Sequence, residues 1–324
     1  MTQKDENAGA RRAILSSFSA ISALHHCASS PARESAHADP PRRCRETVFA
    51  NVLSLQSEVL LFTAAAGGDT ALVASSFGTC SALTGVLALL VNQIGGKLSD
   101  SVGRKSMLLV GPIMGALLNF VVYSAGSRSL MLLMACKIGK TVFTSFGGST
   151  MAMASLMDIS TPAQMAQMGA KLMSYAGVAI VLGPYVEVEL LKRLGSDGRR
   201  NFLVGSALSV LLGVLELVCL PETLEKGKRR SLSDFFASIS SINPLSFLKV
   251  YTSGKSNALK RLLLVTTLQS CLEGRCTSDI FQVWARNNMK ATAEVIRNLI
   301  MYWGAVVTSF GLWGSRAFLP ILST

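Results

Sequence analysis

The sequence predicts an all-α membrane protein that crosses the bilayer many times, and three observations carry that prediction. Half of the 324 residues are hydrophobic and only 15% are charged, against roughly 25% in a soluble globular chain. The charge is also uneven, crowded into short segments between long runs that hold almost none. Those runs recur from residue 47 to residue 320, most of them reaching the roughly 20 residues a helix needs to cross a 30 Å hydrocarbon core.

Taken in order, residues 1–46 are polar, rich in Ser, Ala and Arg, and close on Pro40, Pro41, Arg42 and Arg43. They read as a disordered tail. A targeting segment is the alternative, since Arg11 and Arg12 precede a weak apolar stretch at 13–24. Serines interrupt that stretch, and Asp5, Glu6 and Glu34 do not suit an acid-poor transit peptide. Eight spans follow, at 47–66, 71–95, 106–126, 129–157, 166–188, 201–221, 261–284 and 298–320. Asn51, Gln56 and Glu58 interrupt the first. The segment 222–260 differs: Lys226, Lys228, Arg229 and Arg230 open it, and amphipathic stretches follow around Phe235, Phe236 and 242–250. It reads as a cytosolic linker carrying short surface helices.

The basic residues set the orientation. With the tail inside, nineteen of the 31 Lys and Arg fall on inner segments and eight on outer loops. The positive-inside rule therefore puts the N-terminus in the cytosol. The same placement accounts for the net charge of +12 without nucleic acid, because the basic residues line the linkers of a membrane protein. Small residues inside the spans, such as Gly111, Gly115, Gly147, Gly148 and Ser149, suit close helix packing in lipid.

Several chemistries are set aside. All three histidines (His25, His26 and His37) lie in the tail, so the body holds no histidine triad or histidine metal cluster. The seven cysteines form no C-x-x-C or paired zinc spacing. Gly139, Lys140 and Thr141 imitate the end of a phosphate-binding loop, but Met134 stands where its first glycine belongs. Without a catalytic constellation, no enzyme activity and no metal or cofactor is expected.

Between the second and third spans, Gly96, Leu98, Asp100, Gly103, Arg104 and Lys105 follow the spacing G-x-L-x-D-x-x-G-R-K. The glycines suit a tight turn, the basic pair suits the cytosolic face, and a carboxylate suits helix-terminal amides or a basic partner. This loop resembles the signature of the major facilitator superfamily. Pro221, Glu222, Thr223 and Leu224 at the end of the sixth span are similar to a segment common in that family. Asn243, Pro244 and Leu245 resemble its tetracycline-efflux-like branch. Gly183 and Pro184 look like part of the antiporter signature, but Glu187 and Val188 stand where paired glycines would be, so antiport is not implied. Lys137 sits roughly where the family often has a buried arginine.

The resemblance, which covers about 47–320, implies two six-helix bundles rocking around a central site. On that pattern 47–221 is one six-helix half and 261–324 the first two helices of an incomplete second half. The eleventh helix, which the signature carboxylate contacts in the family, would then be missing. The implied function is secondary active, proton-coupled transport of a small solute. The alternative is a truncated, non-transporting protein that associates with or regulates a full-length carrier. The expected partners are the lipid bilayer, a small solute and protons.

Charges inside a bilayer are expensive and by default functional. A helical rise of about 1.5 Å per residue puts Glu58, Lys140 and Glu273 near the midplane. Lys137 shares a face with Lys140, and Arg275 with Asp279, while Glu273 points away from Arg275. Glu58 is the candidate proton carrier. Lys140 is the candidate to answer an anionic substrate or to counter Glu58, with Glu273 or Arg275 opposite. The bland alternative is internal ion pairs that only hold helices together, or side chains snorkelling to the interface.

Overall fold

The structure is a computed structural model. It describes Leu53 to Ser309 and Trp313, except at 148, 160, 196, 221, 225, 226, 228, 240–256, 258, 259, 262, 266 and 269–274. The expectations for the tail, for Glu273 and for Asn243 to Leu245 lie outside the described residues.

The described elements are helices: α1 (Leu55–Ala65), α2 (Thr70–Val102), α3 (Arg104–Ala125), α4 (Leu130–Gly147), α5 (Ser149–Ile159), α6 (Pro162–Leu194), α7 (Arg199–Cys219), α8 (Leu232–Ile239), α9 (Arg275–Asn288) and α10 (Ala293–Ser309). Local chemistry sets several boundaries. Asp69 caps α2, its carboxylate accepting from the amides of Ala71 at 2.9 Å and Leu72 at 3.1 Å. Gly103, at φ 106°, separates α2 from α3 where an L side chain would be strained. Pro112 and Pro184 lie inside α3 and α6, as membrane helices tolerate. The predicted fourth span, 129–157, is described as α4 and α5 on either side of residue 148, which lies outside the described residues.

Four described helical stretches are long and apolar enough to cross a membrane: α2, α3, Ser174–Leu194 of α6, and α7 through Val218. Their outer faces expose large apolar side chains, such as Val86 at 63% and Val218 at 75%. A water-facing helix would bury such residues, whereas lipid solvates them. The protein is therefore an all-α, multi-pass membrane protein.

Packing relies on small residues. α3 runs against both α4 and α7, α2 against α4 and α9, and α6 against α10. Along α3 and α7, Gly115 faces Ser209, Gly205 faces Asn119, and the Ser206 hydroxyl donates to the Ala116 carbonyl at 2.8 Å. Where α6 meets α10, a Cβ on Gly177 or Gly304 would strike backbone atoms of Thr308 or Val181, so the two helices touch through bare backbone. A core of Val59, Phe62, Phe77, Leu133, Phe202 and Val283 joins α1, α2, α4, α7 and α9. Within it Phe62 and Phe77 stack at 4.6 Å. In the segment after α7, α8 buries Phe235 and exposes Phe236 at 67%.

Candidate functional site

The helices bring polar groups together in three places. The first is a cavity lined by α1, α3, α4 and α7, among them Glu58, Asn119, Lys137, Lys140 and Phe202. α4 carries Lys137 and Lys140 one helical turn apart, so both ammonium groups reach the same space. Lys137 Nζ pairs with Glu58 Oε1 at 2.9 Å, and the two side chains are only 15% and 19% exposed. Lys137 also lies 4.7 Å from the Phe77 ring centroid. Lys140 donates instead to the Ser54 hydroxyl at 3.1 Å. Two formal positive charges thus face one negative charge. The open space is about 20 Å³, which exceeds the roughly 10–15 Å³ a water requires and is far below what a solute requires.

The second place lies beside it, where α1, α6, α7 and α9 meet. Glu187 of α6 is fully buried. Its Oε1 accepts from the Ser57 amide at 2.7 Å and from the Ser57 hydroxyl at 2.8 Å. Asn201 of α7 donates to the same hydroxyl at 2.8 Å and to the Glu187 carbonyl at 3.3 Å. Arg286 of α9 donates to the Gln56 side-chain oxygen at 3.0 Å.

The third is the turn between α2 and α3, at the opposite end of those helices. Arg104 pairs with Asp100 at 2.9 Å and with Asp158 of α5 at 3.0 Å. Its amide donates to Glu222 Oε1 at 2.9 Å, and Glu222 Oε2 pairs with Arg229 at 3.2 Å. The Arg230 amide donates to the Asp100 carbonyl at 3.0 Å, and Lys105 donates to the Leu217 carbonyl at 2.7 Å. Gly103 carries no side chain because a Cβ there would run into the Glu222 carboxylate. Gly96 and Leu98 lie in the last turns of α2, on the approach to this corner.

Of the residues singled out in the sequence, the structure brings Glu58, Lys137 and Lys140 to one cavity and Asp100, Gly103, Arg104 and Lys105 to one corner. It pairs Glu58 with Lys137, leaving Lys140 on a neutral hydroxyl. Arg275 and Asp279 lie in the first two turns of α9. Sequence reading missed Gln56, Ser57, Asn201 and Arg286 as site residues, and saw Glu187 only as a departure from a motif. Glu187 sits at the end of the predicted span 166–188, where a carboxylate reads as bound for water. Its position inside an apolar run was the available signal.

No family model matches the chain, and no curated protein matches it. Among solved structures, the human organic anion transporter MFSD10 (TETRAN) superposes with a TM-score of 0.59. The match covers 86% of this chain and 73% of that one at 20% sequence identity. The chain is thus a multi-pass α-helical membrane protein that shares its fold with a transporter of the major facilitator type.

Proposed function

We propose that the protein is a secondary active carrier for a small organic anion, working by alternating access with proton coupling. One observation carries the reading: a narrow, mostly buried cavity holding two lysines against a single carboxylate. An unbalanced cation inside a membrane protein is costly unless an anion joins it during the cycle. Lys140, whose partner is the neutral Ser54 hydroxyl, is the group to meet that anion. Glu58 supplies the coupling. While ionised it holds Lys137; once protonated it releases Lys137 as a second cation, so proton and anion bind together. The likeness to an organic anion transporter is consistent with an anionic substrate but rests on fold alone.

In this reading 47–221 acts as one six-helix bundle, 261–324 opens the second, and the basic tail and linker face the cytosol. Rocking of the bundles then widens the cavity toward either side in turn. The test is uptake of radiolabelled organic anions into proteoliposomes under an imposed proton gradient. Wild-type protein should accumulate an anion, and Lys140→Met should weaken its binding by about 10–100-fold, the worth of a hydrogen bond to a charged group. Anion binding without accumulation would favour the regulatory alternative. Uptake by Lys140→Met equal to wild type would sink the assignment of Lys140.

A further inference from the structure

We infer that Glu187 is a proton-binding site, distinct from Glu58, whose occupancy decides whether α9 is tied to α6 through Arg286. The role in a transport cycle rests on the carrier reading above; the proton site itself does not. Glu187 lies about 10 Å from the C-terminal end of α6, by the helical rise, with its side chain wholly withdrawn from solvent. One oxygen is well served. Oε1 accepts from the Ser57 amide and hydroxyl, and that amide belongs to the first turn of α1, which Ser54 leaves without a side-chain cap. A carboxyl from α6 therefore does the capping, and the carbonyl oxygen of a neutral carboxylic acid can accept these bonds as a carboxylate can.

The other oxygen points to the proton. Glu187 Oε2 meets no donor among the described residues, and neither Gln56 Nε2 nor Arg286 Nε meets an acceptor among them. One bare acceptor and two bare donors thus sit within a single network. A fully buried carboxylate with a bare oxygen is strongly disfavoured. A proton on Oε2 removes the charge and accounts for Arg286 resting on the neutral Gln56 oxygen at 3.0 Å. The neighbouring charges agree with a switch. From α9, Arg286 acts on the carboxyl, and from α4, Lys140 interacts with both Glu58 and Glu187. From α1, Glu58 is turned to Lys137, and from α7, Asn201 presents a neutral amide. Arg199 and Arg200 at the start of α7 are held by the carbonyls of Tyr123 and Leu194. Lys192 and Glu294 pair with each other on the exposed surface of α6 and α10. When the Oε2 proton passes to water at the α6–α7 turn, the carboxylate draws Arg286 from Gln56. An ion pair then ties α9 to α6, and reprotonation releases it.

The experiment uses the full chain in lipid nanodiscs and follows the protonated-carboxyl stretch by infrared difference spectroscopy during a pH titration, with no solute present. The expected result is a band that disappears as pH rises, is absent from Glu187→Gln and survives in Glu58→Gln. Arg286→Gln, which deprives the carboxylate of its ion-pair partner, should let the band persist to higher pH. This second variant also reports if Glu187→Gln fails to fold. No titrating band, a band abolished by Glu58→Gln instead, or a titration unmoved by Arg286→Gln would each overturn the inference. Absence of anion uptake with this titration intact would count against the carrier reading alone.

Discussion

The charges of the cavity and the charges of the α2–α3 corner use the same chemistry to opposite ends. At the corner the bonds run between opposite partners: Arg104 meets Asp100 and Asp158, and Glu222 meets Arg229. Those pairs join α2, α3, α5 and the segment after α7, and the acidic partners Asp100 and Asp158 remain 35% and 24% exposed. In the cavity Glu58 and Lys137 are less exposed than those acids, and Lys140 adds a cation whose hydrogen bond goes to the neutral Ser54 hydroxyl. A half-wet cluster in which every carboxylate meets a guanidinium holds helix ends in position, while a drier one with a lysine on a neutral hydroxyl has capacity left for a ligand or a proton. The comparison teaches that whether each charge meets an opposite one, more than burial alone, separates a latch from a site.

The largest effect that could break this comparison is in the cavity. Glu58→Gln removes the group that holds Lys137 and leaves a neutral side chain of the same shape. On the carrier reading, anion binding should rise toward acid pH in the wild type and lose that dependence in the variant. A variant that kept the wild-type pH profile would assign the coupling elsewhere. At the corner, Gly103→Ala forces a side chain into a φ of 106° and against Glu222. Strain of that kind costs about 1–3 kcal/mol, so the variant should show a lower thermal midpoint in detergent with anion affinity unchanged. Asp100→Asn should act more gently, altering turnover in proteoliposomes more than affinity, because it weakens one pair of the latch and touches no cavity residue. A pure loss of affinity would merge the two regions into one.

The smallest effect concerns the pair between Lys192 and Glu294, whose side chains are 52% and 53% exposed. Hydrogen bonding and the charge of Lys192 hold the Glu294 carboxyl below its ordinary range. A carboxyl depressed in the folded state contributes stability above its unfolded value, and that stability is lost as pH falls through the folded one. Water screens so open a pair. Glu294→Gln should therefore leave the thermal midpoint unchanged at neutral pH, and a clear drop would mark the pair as structural.

Much of the fold was legible because the solvent writes it into composition. Apolar runs with lipid-facing residues such as Val86 and Val218 need no partner to be recognised. The corner was legible for a related reason: Asp100 and Arg104 are four residues apart across the Gly103 turn, so the chain itself keeps them near each other. The cavity was half legible. Glu58, Lys137 and Lys140 stand out as charges in apolar runs, but their pairing depends on how α1 lies against α4. The network around Glu187 was not legible, since Ser57 is 130 residues from Glu187 and Gln56 is 230 from Arg286.

The sequence by itself determined that this chain lives in a bilayer as many helices, that its basic residues crowd the connections, and that a few charges are buried where they are expensive. Hydrophobic periodicity and charge placement are local properties, and bilayer thickness converts them into structure residue by residue. Only the tertiary structure decided that Lys137 and not Lys140 answers Glu58, that Glu187 caps α1, and that Arg286 waits beside it on a neutral amide. Those choices depend on which faces of distant helices meet, and backbone contacts through Gly177 and Gly304 show how closely packing can set them.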